Sequence, residues 1–191
     1  MELIFATNNQ GKLRELRQLV GAEFIIRTLK DAGVTEELPE PFDTFEQNAW
    51  SKAHYVFQKL GKNCFAEDSG LVVPALNGAP GVFSARYAGT PADDEKNNQK
   101  LLAALQGKKD LTAWYQATIC LIIEEQAHYF QGRCEGQITL VPHGNSGFGY
   151  DPLFIPAGYN QTFGELPAEV KNQLSHRAKA VRQLADFLIA L

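Results

Sequence analysis

The chain has 191 residues, a length that suits one domain, or two lobes around a shared sheet, with room for a sizeable core. Its 18 Lys and Arg against 22 Asp and Glu leave a net charge of -4, which argues against a general nucleic-acid surface. No run reaches the roughly 18 apolar residues of a membrane span, and no basic leader precedes an apolar segment at the amino terminus, so we expect a cytoplasmic protein.

The three cysteines, Cys64, Cys120 and Cys134, lie far apart in the sequence among apolar or strand-like neighbours. An odd number with this spacing forms neither a disulfide framework nor a CxxC metal site. We therefore expect buried, inert thiols.

The chain opens with a predicted strand at residues 2–6, a polar turn and a helix whose apolar face holds Leu13 and Leu16. The first backbone N–H groups of such a helix favour an anion at the turn. Lys12 lies in the first helical turn, where a cation opposes the helix dipole unless something negative, such as a phosphate, compensates it. A solvated lysine, with Thr7 or Asn9 as the helix cap, is the open alternative.

A second strand is predicted from Glu23 to Leu29, and an acidic loop follows it. Proline flanks Glu40 on both sides and limits the directions that its carboxylate can take, although a solvated acidic loop remains an alternative. The spacing of Asp43 and Glu46 then predicts a capping box. The helix behind this box has an apolar face formed by Phe45, Ala49, Ala53, Val56, Phe57 and Leu60.

A third strand is predicted at residues 63–66, with Glu67, Asp68 and Ser69 at its carboxyl end. Open α/β sheets tend to place ligands at that end of a strand. An acidic residue followed by Ser and Gly is also ordinary turn chemistry, so these residues prove little alone. The segment Leu71–Val73 extends the sheet, and a helix is predicted from about Pro91 to Leu105.

Two long β runs follow, at Thr112–Ile123 and His128–Leu140, joined by residues 124–127. They predict a long antiparallel hairpin. Because such a pair is not a βαβ crossover, the sheet should be mixed. The expected fold class is therefore α/β, with a long mixed β-sheet flanked by helices and one domain spanning residues 1–191.

A glycine-rich loop at residues 144–152 carries Phe148, Gly149, Tyr150 and Asp151. Glycine allows close backbone approach to a flat ligand, and either aromatic ring could stack on a base. A ring that closes the edge of the core is the open alternative.

The last predicted helix has Ser175 as its N-cap. Its first turn holds the donors His176 and Arg177, and Lys171 lies close in sequence. Positive charge is unfavourable there, so an electron-rich ligand group would explain the arrangement, although solvent could also satisfy these donors.

Six short motifs follow one another along nearly the entire chain: Thr7-x-Asn9-x-x-Lys12, Glu67-Asp68-Ser69-Gly70-Leu71, Gly78-Ala79-Pro80-Gly81, Ser84-Ala85-Arg86-Tyr87, Phe148-Gly149-Tyr150-Asp151-Pro152 and Ser175-His176-Arg177. Each motif is weak alone, whereas the ordered set is specific. The set closely resembles the inosine triphosphate pyrophosphatase family, which removes non-canonical purine nucleoside triphosphates.

This resemblance implies hydrolysis of ITP, dITP and XTP to the monophosphate and pyrophosphate with Mg²⁺, by a homodimer whose subunits have two lobes and a central active-site cleft. It implies that Asp68 is the catalytic proton acceptor and a metal ligand, that Glu40 is a second magnesium ligand, and that Lys12 stabilises phosphate charge. The implied phosphate-binding set is Thr7, Asn8, Asn9, Gln10, Gly11, Lys12 and Ser69. The implied nucleotide and base set is Phe148, Gly149, Tyr150, Asp151, Lys171, His176 and Arg177.

Two positions depart from the family pattern. Gln47 stands where many bacterial relatives have glutamate, and Glu67 stands where some have aspartate. Two other functions remain open: a non-catalytic nucleotide-binding sensor, and a pyrophosphatase for other modified nucleoside triphosphates.

Overall fold

The computed structural model describes residues 1–20 and 24–191. Within them the chain forms six strands and five α-helices, with two 3₁₀ helices at Pro74–Leu76 and Gly81–Arg86. The elements in chain order are β1 (Glu2–Phe5), α1 (Gln10–Leu19), β2 (Ile25–Thr28), α2 (Phe45–Leu60), β3 (Cys64–Val72), α3 (Asp94–Leu105), β4 (Thr112–Ile123), β5 (Gln126–Ile138), β6 (Phe154–Pro156), α4 (Ala168–Leu174) and α5 (His176–Ile189).

The six described strands form one sheet in the order β2-β1-β3-β4-β5-β6. β1 pairs in parallel with both β2 and β3, whereas β6 pairs antiparallel with β5. The prediction of an α/β fold with a mixed sheet is therefore confirmed. None of the helices in the described part of the chain is long and apolar enough to cross a bilayer.

The described residues divide into two compact units. The first comprises residues 1–68, 117–132 and 177–191, apart from the segment 21–23. Alternate residues of β1 point to opposite faces of the sheet: Leu3 and Phe5 belong to a core that includes residues of α1 and α5, and Ile4 belongs to a core that includes residues of α2. Helices therefore cover both faces of the sheet within this unit.

The second unit comprises residues 69–116 and 133–176. Its core joins Leu101 of α3 to aromatic rings that include Tyr115, Phe154 and Phe163. Tyr115 meets Phe154 edge-on at 4.8 Å between ring centroids, and Phe154 lies 5.3 Å from Phe163. Tyr150 of the glycine-rich loop belongs to the same core, so this aromatic cluster packs against the loop.

The three cysteines are free and buried, as predicted. Burial raises the pKa of Cys64 and of Cys120 to about 12. Thiols with such pKa values are largely protonated at neutral pH and are poor nucleophiles.

Several predicted boundaries were wrong. β3 is one continuous strand from Cys64 to Val72, so the acidic stretch within it is not a turn. β5 begins at Gln126 instead of His128, because Glu124 and Glu125 alone form the hairpin turn, with φ of 49° and 64°. Positive φ at both central residues is the geometry that suits a two-residue hairpin.

The N-cap of α2 was misplaced by one residue. Thr44 is the cap, and its hydroxyl accepts a hydrogen bond from the Gln47 backbone N–H at 3.2 Å and donates to Gln47 Oε1 at 3.0 Å. Gln47, and not Glu46, is therefore the residue that pairs with the cap of this helix. Helix α3 also begins later than predicted, at Asp94 with Asp93 as its cap, and Glu23 of the predicted second strand lies outside the described residues.

Candidate active site

The turn after β1 caps the helix that follows it. Asn9 Oδ1 accepts a hydrogen bond from the Lys12 backbone N–H at 3.1 Å, and the Thr7 hydroxyl oxygen accepts one from the Asn9 N–H at 3.2 Å. The predicted cap at Asn9 is confirmed. The other predicted members of this turn are the exposed Asn8 and Gln10 and the buried Gly11. Because the first N–H groups of an α-helix have no partner within the helix, this turn can still bind an anion.

The Lys12 side chain points towards the acids of β3. Its Nζ donates to the Glu67 backbone oxygen at 3.3 Å and lies 3.5 Å from Glu67 Oε1, and the side chain is only 12% exposed. The alternative of a solvated lysine is therefore wrong. Burial lowers the pKa of Lys12, and the Glu67 carboxylate opposes that shift. A partly desolvated cation can attract phosphate strongly in a chain whose net charge is negative.

Glu67 and Asp68 lie in the part of β3 that continues past β1. Phe5, the last residue of β1, pairs with Phe65, whereas β3 runs on to Val72. The two acids therefore lie just beyond the carboxyl end of β1, although not at the end of their own strand. Both are buried, at 1% and 4% exposure. Ser69 follows them in the strand and is half-buried.

Lys52 of α2 links three groups of the first unit. Its Nζ lies 2.5 Å from Glu40 Oε1 and 3.4 Å from Asp68 Oδ1, and it donates to the Glu67 backbone oxygen at 2.9 Å. The solvated acidic loop is therefore wrong for Glu40, because this contact brings its carboxylate to the same ammonium group as Asp68. Lys52 thus reduces the repulsion between two carboxylates that the family resemblance implied to share one metal.

Arg177 holds the Glu67 carboxylate from α5. Arg177 Nε and Nη2 lie 2.7 and 2.8 Å from the two Glu67 oxygens, and Nη1 contacts Glu15 of α1. This is a buried, two-pronged ion pair, in which both Glu67 oxygens are engaged. Glu67 therefore orients Arg177 and Lys12, which leaves Asp68 as the acid with a free coordination position.

Asp68 is the acid whose surroundings suit chemistry. Its Oδ2 is buried and has no hydrogen-bond partner among the described residues. Burial raises the pKa of Asp68, while Lys52 and Lys12 lower it and Glu40 raises it further. A buried carboxylate oxygen without a partner is costly unless water, a ligand or a metal satisfies it.

The donor set fits Mg²⁺ if the substrate supplies further ligands. Asp68 and Glu40 offer the hard carboxylate oxygens that Mg²⁺ prefers, and Asp68 Oδ2 is free for that role. No cluster of three or more His, Cys, Asp or Glu residues that could hold a metal occurs in residues 1–20 and 24–191. Two carboxylates with phosphate oxygens and water are a common arrangement for Mg²⁺ in phosphate-handling enzymes.

A second polar cluster lies in the second unit and centres on Asp151. Lys171 Nζ lies 2.6 Å from Asp151 Oδ2, and the Phe148 backbone N–H donates to the same oxygen at 3.0 Å. A Cβ at Gly147 would lie 2.0 Å from that oxygen, so this glycine allows close approach to Asp151 instead of to a ligand. Lys171 Nζ also lies 5.0 Å from the centre of the Phe148 ring.

The two aromatic residues of the loop differ in their surroundings. Tyr150 is 3% exposed, belongs to the core, and donates its hydroxyl to the Ser84 backbone oxygen at 2.8 Å. Its ring therefore closes the edge of the core, which is the alternative that the sequence left open. Phe148 is only half-buried and remains the candidate for stacking on a base. His176 is buried and stacks on Tyr115, with ring centroids 4.7 Å apart.

The Ham1 family sequence model matches residues 3–187 of this chain. The chain belongs to the Ham1 family. This match, together with full-length relatives named dITP/XTP pyrophosphatase, confirms the resemblance to the purine nucleoside triphosphate pyrophosphatases.

Named relatives and solved structures of this family match over the full length. The chain is 46% identical over 190 residues to the dITP/XTP pyrophosphatase of Flavobacterium johnsoniae, covering 100% of the chain and 99% of the relative. It is 47% identical over 189 residues to the dITP/XTP pyrophosphatase of Porphyromonas gingivalis, covering 98% and 97%. The Ham1 protein of Staphylococcus aureus matches with a TM-score of 0.90 at 36% identity, covering 100% of this chain and 99% of the other. The HAM1 protein of Coxiella burnetii matches with a TM-score of 0.92 at 36% identity and covers 100% of both chains.

Each unit of this Ham1 family member gathers part of the predicted site. Lys12, Asp68 and Arg177 meet in the first unit through Glu67 and Lys52, and Glu40 joins them through Lys52. In the second unit, Phe148 and Lys171 contact Asp151. Gly149 and Tyr150, also predicted site residues, lie between Phe148 and Asp151 in the sequence.

Sequence reasoning missed three contributors to these clusters. Lys52 lies on the apolar face of α2, beside Ala49 and Ala53, and a lysine in such a stripe was the available signal. Glu15 follows Lys12 by three residues, so the two share one side of α1. Tyr115 lies on β4, and nothing in the sequence of that strand indicated its contact with His176.

Proposed function

We propose that the protein hydrolyses the non-canonical purine nucleoside triphosphates dITP, ITP and XTP to the monophosphate and pyrophosphate. The observation that carries this proposal is the buried Asp68 carboxylate, with one oxygen unpaired among the described residues and two lysines beside it. It occurs in a Ham1 family chain that aligns over its full length with proteins named dITP/XTP pyrophosphatase.

Asp68 is the proposed general base. It orients a water molecule and accepts its proton as the water oxygen bonds to the α-phosphorus and the bond to the departing pyrophosphate breaks. The raised pKa of Asp68 suits proton acceptance better than that of an ordinary aspartate. Lys12 and the amino-terminal turn of α1 stabilise the negative charge that develops on the phosphates.

Asp68 and Glu40 are the proposed magnesium ligands, together with phosphate oxygens and water. When bound, Mg²⁺ neutralises phosphate charge and polarises the reacting phosphate. The contacts of Lys52 with both carboxylates, at 2.5 Å to Glu40 and 3.4 Å to Asp68, support a shared role for the two acids. Hydrolysis that depends on a divalent metal is therefore part of the proposal.

The base is the proposed ligand of the second cluster. Hypoxanthine and xanthine carry a carbonyl oxygen at C6, whereas adenine carries an amino donor there, so a donor such as His176 would reject ATP. Mismatches of this kind can discriminate by about 10⁴-fold. The Arg177 guanidinium contacts Glu67 and Glu15, which favours His176 over Arg177 as the donor to the base. Phe148 is the proposed ring that stacks on the base. Asp151 accepts a hydrogen bond from its backbone N–H, and the Lys171 ammonium group lies over its ring.

Hydrolysis of a nucleotide panel in ¹⁸O-labelled water tests this function. We expect pyrophosphate and nucleoside monophosphate from ITP, dITP and XTP, with the label in the monophosphate, and poor hydrolysis of ATP and GTP. Label in the pyrophosphate would reject attack at the α-phosphorus, and equal rates on all five nucleotides would reject the selectivity. Tight binding of ITP without turnover in Mg²⁺ would favour the non-catalytic sensor.

A homodimer, which the family resemblance implies, and a cytoplasmic location, which the amino-acid sequence led us to expect, are further parts of the proposal. Light scattering of the purified protein tests the first, with a mass of two chains as the expected result. Fractionation of the source cells tests the second.

A further inference from the structure

The loop that carries Glu40 shows a regular alternation of burial. Its residues 36, 38 and 40 are half-buried, whereas residues 35, 37, 39 and 41 are exposed. Leu38 packs against the apolar core that includes Ala53 and Val56 of α2. An alternation of two residues is the pattern of an extended chain lying along a surface.

The surface beneath this segment is one stripe of α2. Asn48, Lys52, Tyr55 and Lys59 are spaced by four, three and four residues, so they share one side of the helix. Each of them contacts the segment. Asn48 Oδ1 accepts from the Phe42 N–H and Asn48 Nδ2 donates to the Phe42 backbone oxygen, both at 2.9 Å.

The remaining contacts run in register along the stripe. Lys52 reaches Glu40, as described above, and the Tyr55 hydroxyl donates to Glu36 Oε1 at 2.8 Å. The Lys59 ammonium contacts the same Glu36 oxygen. Residues later in α2 therefore contact residues earlier in the loop segment, which means that the segment runs antiparallel to α2.

The length of the loop segment and the length of the stripe on α2 are compatible with this antiparallel arrangement. At the rise of an extended chain, the six residue steps from Glu36 to Phe42 span at most roughly 20 Å, and the eleven steps from Asn48 to Lys59 span roughly 16 Å of helix. Pro39 and Pro41 stiffen the segment on either side of Glu40. A stiff segment that is fixed at both ends has little freedom at its centre.

We propose that Glu36, Tyr55 and Lys59 are positioning residues that hold Glu40 at the active site from a distance. The proposal rests on the proposed function, in which Glu40 binds the metal. Glu36 anchors the amino-terminal end of the segment, Asn48 anchors the carboxyl-terminal end, and Lys52 receives Glu40 between them.

The carboxylate of Glu36 keeps its negative charge, which supports its role in anchoring the segment. Hydrogen bonds from Lys59, from its own backbone and from Tyr55 lower the pKa of Glu36 to about 2, so the group is ionised at neutral and mildly acidic pH. An exposed ion pair adds little to global stability. The consequence of losing it should therefore appear at Glu40 more than in the unfolding of the protein.

Glu36→Ala tests the anchor, with Glu36→Gln as the conservative variant because its amide oxygen can still accept from Tyr55. Glu2→Ala is the matched control, since Glu2 pairs with Arg27 at 3.4 Å on an exposed surface of the same unit. Hydrogen–deuterium exchange of a peptide covering residues 35–44 reads the anchoring directly. We expect faster exchange in Glu36→Ala, an intermediate rate in Glu36→Gln, and no change in Glu2→Ala.

The same variants, alone and combined with Glu40→Gln, test the route of the effect. We expect Glu36→Ala to raise the Mg²⁺ concentration that gives half-maximal pyrophosphate release by about 10-fold, the size typical of a residue that supports a metal ligand. In the Glu40→Gln background it should have no further effect. The affinity for Mn²⁺, followed by electron paramagnetic resonance, should fall by the same factor as the Mg²⁺ dependence.

Three outcomes separate the possible failures. Unchanged exchange in Glu36→Ala would overturn the anchor whatever the activity. Faster exchange with an equal loss of activity in both backgrounds would show that Glu36 does not act through Glu40, and it too would overturn the proposal. If Glu40→Gln alone retains full Mg²⁺ affinity and turnover, the metal role of Glu40 in the proposed function fails. The positioning role of Glu36 then fails with it. The exchange experiment still decides whether Glu36 anchors the segment.

Discussion

Asp68 is held in surroundings that disfavour its own charge. Burial raises the pKa of its carboxyl group, and the nearby lysines only partly offset this effect. A carboxyl group whose pKa is higher in the folded protein than in the unfolded chain weakens the fold as the pH rises above the unfolded value. We therefore expect Asp68→Asn to increase the free energy of unfolding at pH 7, measured by urea denaturation.

The pH dependence checks the sign of this effect. Well below pH 4 the aspartate is protonated in both states, so the advantage of Asp68→Asn should vanish there, grow as the pH rises from about 4 towards the folded pKa, and level off above it. Asp110→Asn is the control of opposite sign, because hydrogen bonds from Thr112 lower the pKa of the exposed Asp110. A difference between Asp68→Asn and the wild type that stays constant from pH 4 to pH 7 would argue against this account.

Lys52 is expected to stabilise the folded protein, because its ammonium group compensates the negative charge of the Asp68 and Glu40 carboxylates. Lys52→Met should leave Asp68 and Glu40 facing each other without the ammonium group between them. Breaking a buried ion pair typically costs roughly 3 kcal/mol, and we expect a loss of that order in the free energy of unfolding. Lys62→Met, at an exposed position just beyond α2, is the control. Equal effects of the two substitutions would show that Lys52 does not compensate the carboxylates.

At the scale of elements, the first turns of α3 hold the loop that carries Phe148. Asp94 Oδ2 accepts from the Gly149 N–H at 2.7 Å, and Asn98 Nδ2 donates to the Gly149 backbone oxygen at 3.1 Å. A hydrogen bond to a carboxylate contributes about 1.5 kcal/mol, which corresponds to roughly 10-fold in an equilibrium. If Phe148 stacks on the base, Asp94→Ala should raise the KM for XTP by about that factor and change kcat much less.

Glu95→Ala provides the matched control for this prediction. Glu95 is the next acid in the same first turn of α3, so its loss has a similar effect on the helix dipole. It is exposed, and its hydrogen-bond partner Gln99 is a residue of α3 itself. A fall in kcat at unchanged KM in Asp94→Ala, or an equal change in Glu95→Ala, would contradict the role of Asp94 in holding the loop.

Local patterns predicted most elements but not where long-range contacts override them. Residues 67–70 are polar and glycine-containing, which is typical of a turn. They stay in β3 because Arg177 and Lys12, distant in sequence, satisfy the buried charge of Glu67. The short β6 and α4 were missed because three and seven residues carry too little periodicity to predict an element.

For the whole molecule, the mixed sheet followed from one local feature, the hairpin of β4 and β5. The strand order did not follow, because pairing between strands depends on contacts that a single sequence does not reveal. The candidate site shows the same limit. The ordered motifs predicted the family and placed Asp68 at the centre of the site, whereas the position of Lys52 in the apolar stripe of α2 was a weak signal, because a helical lysine ordinarily faces solvent.

The central claim is that Asp68 carries the chemistry of a pyrophosphatase. The most direct measurement is the steady-state rate of pyrophosphate release from XTP in Mg²⁺ by the wild type and by Asp68→Asn, with folding confirmed by circular dichroism. Because general base catalysis contributes about 10²- to 10⁴-fold, we predict that kcat falls by at least 100-fold in the folded variant. A folded Asp68→Asn protein with near-normal kcat would contradict the claim.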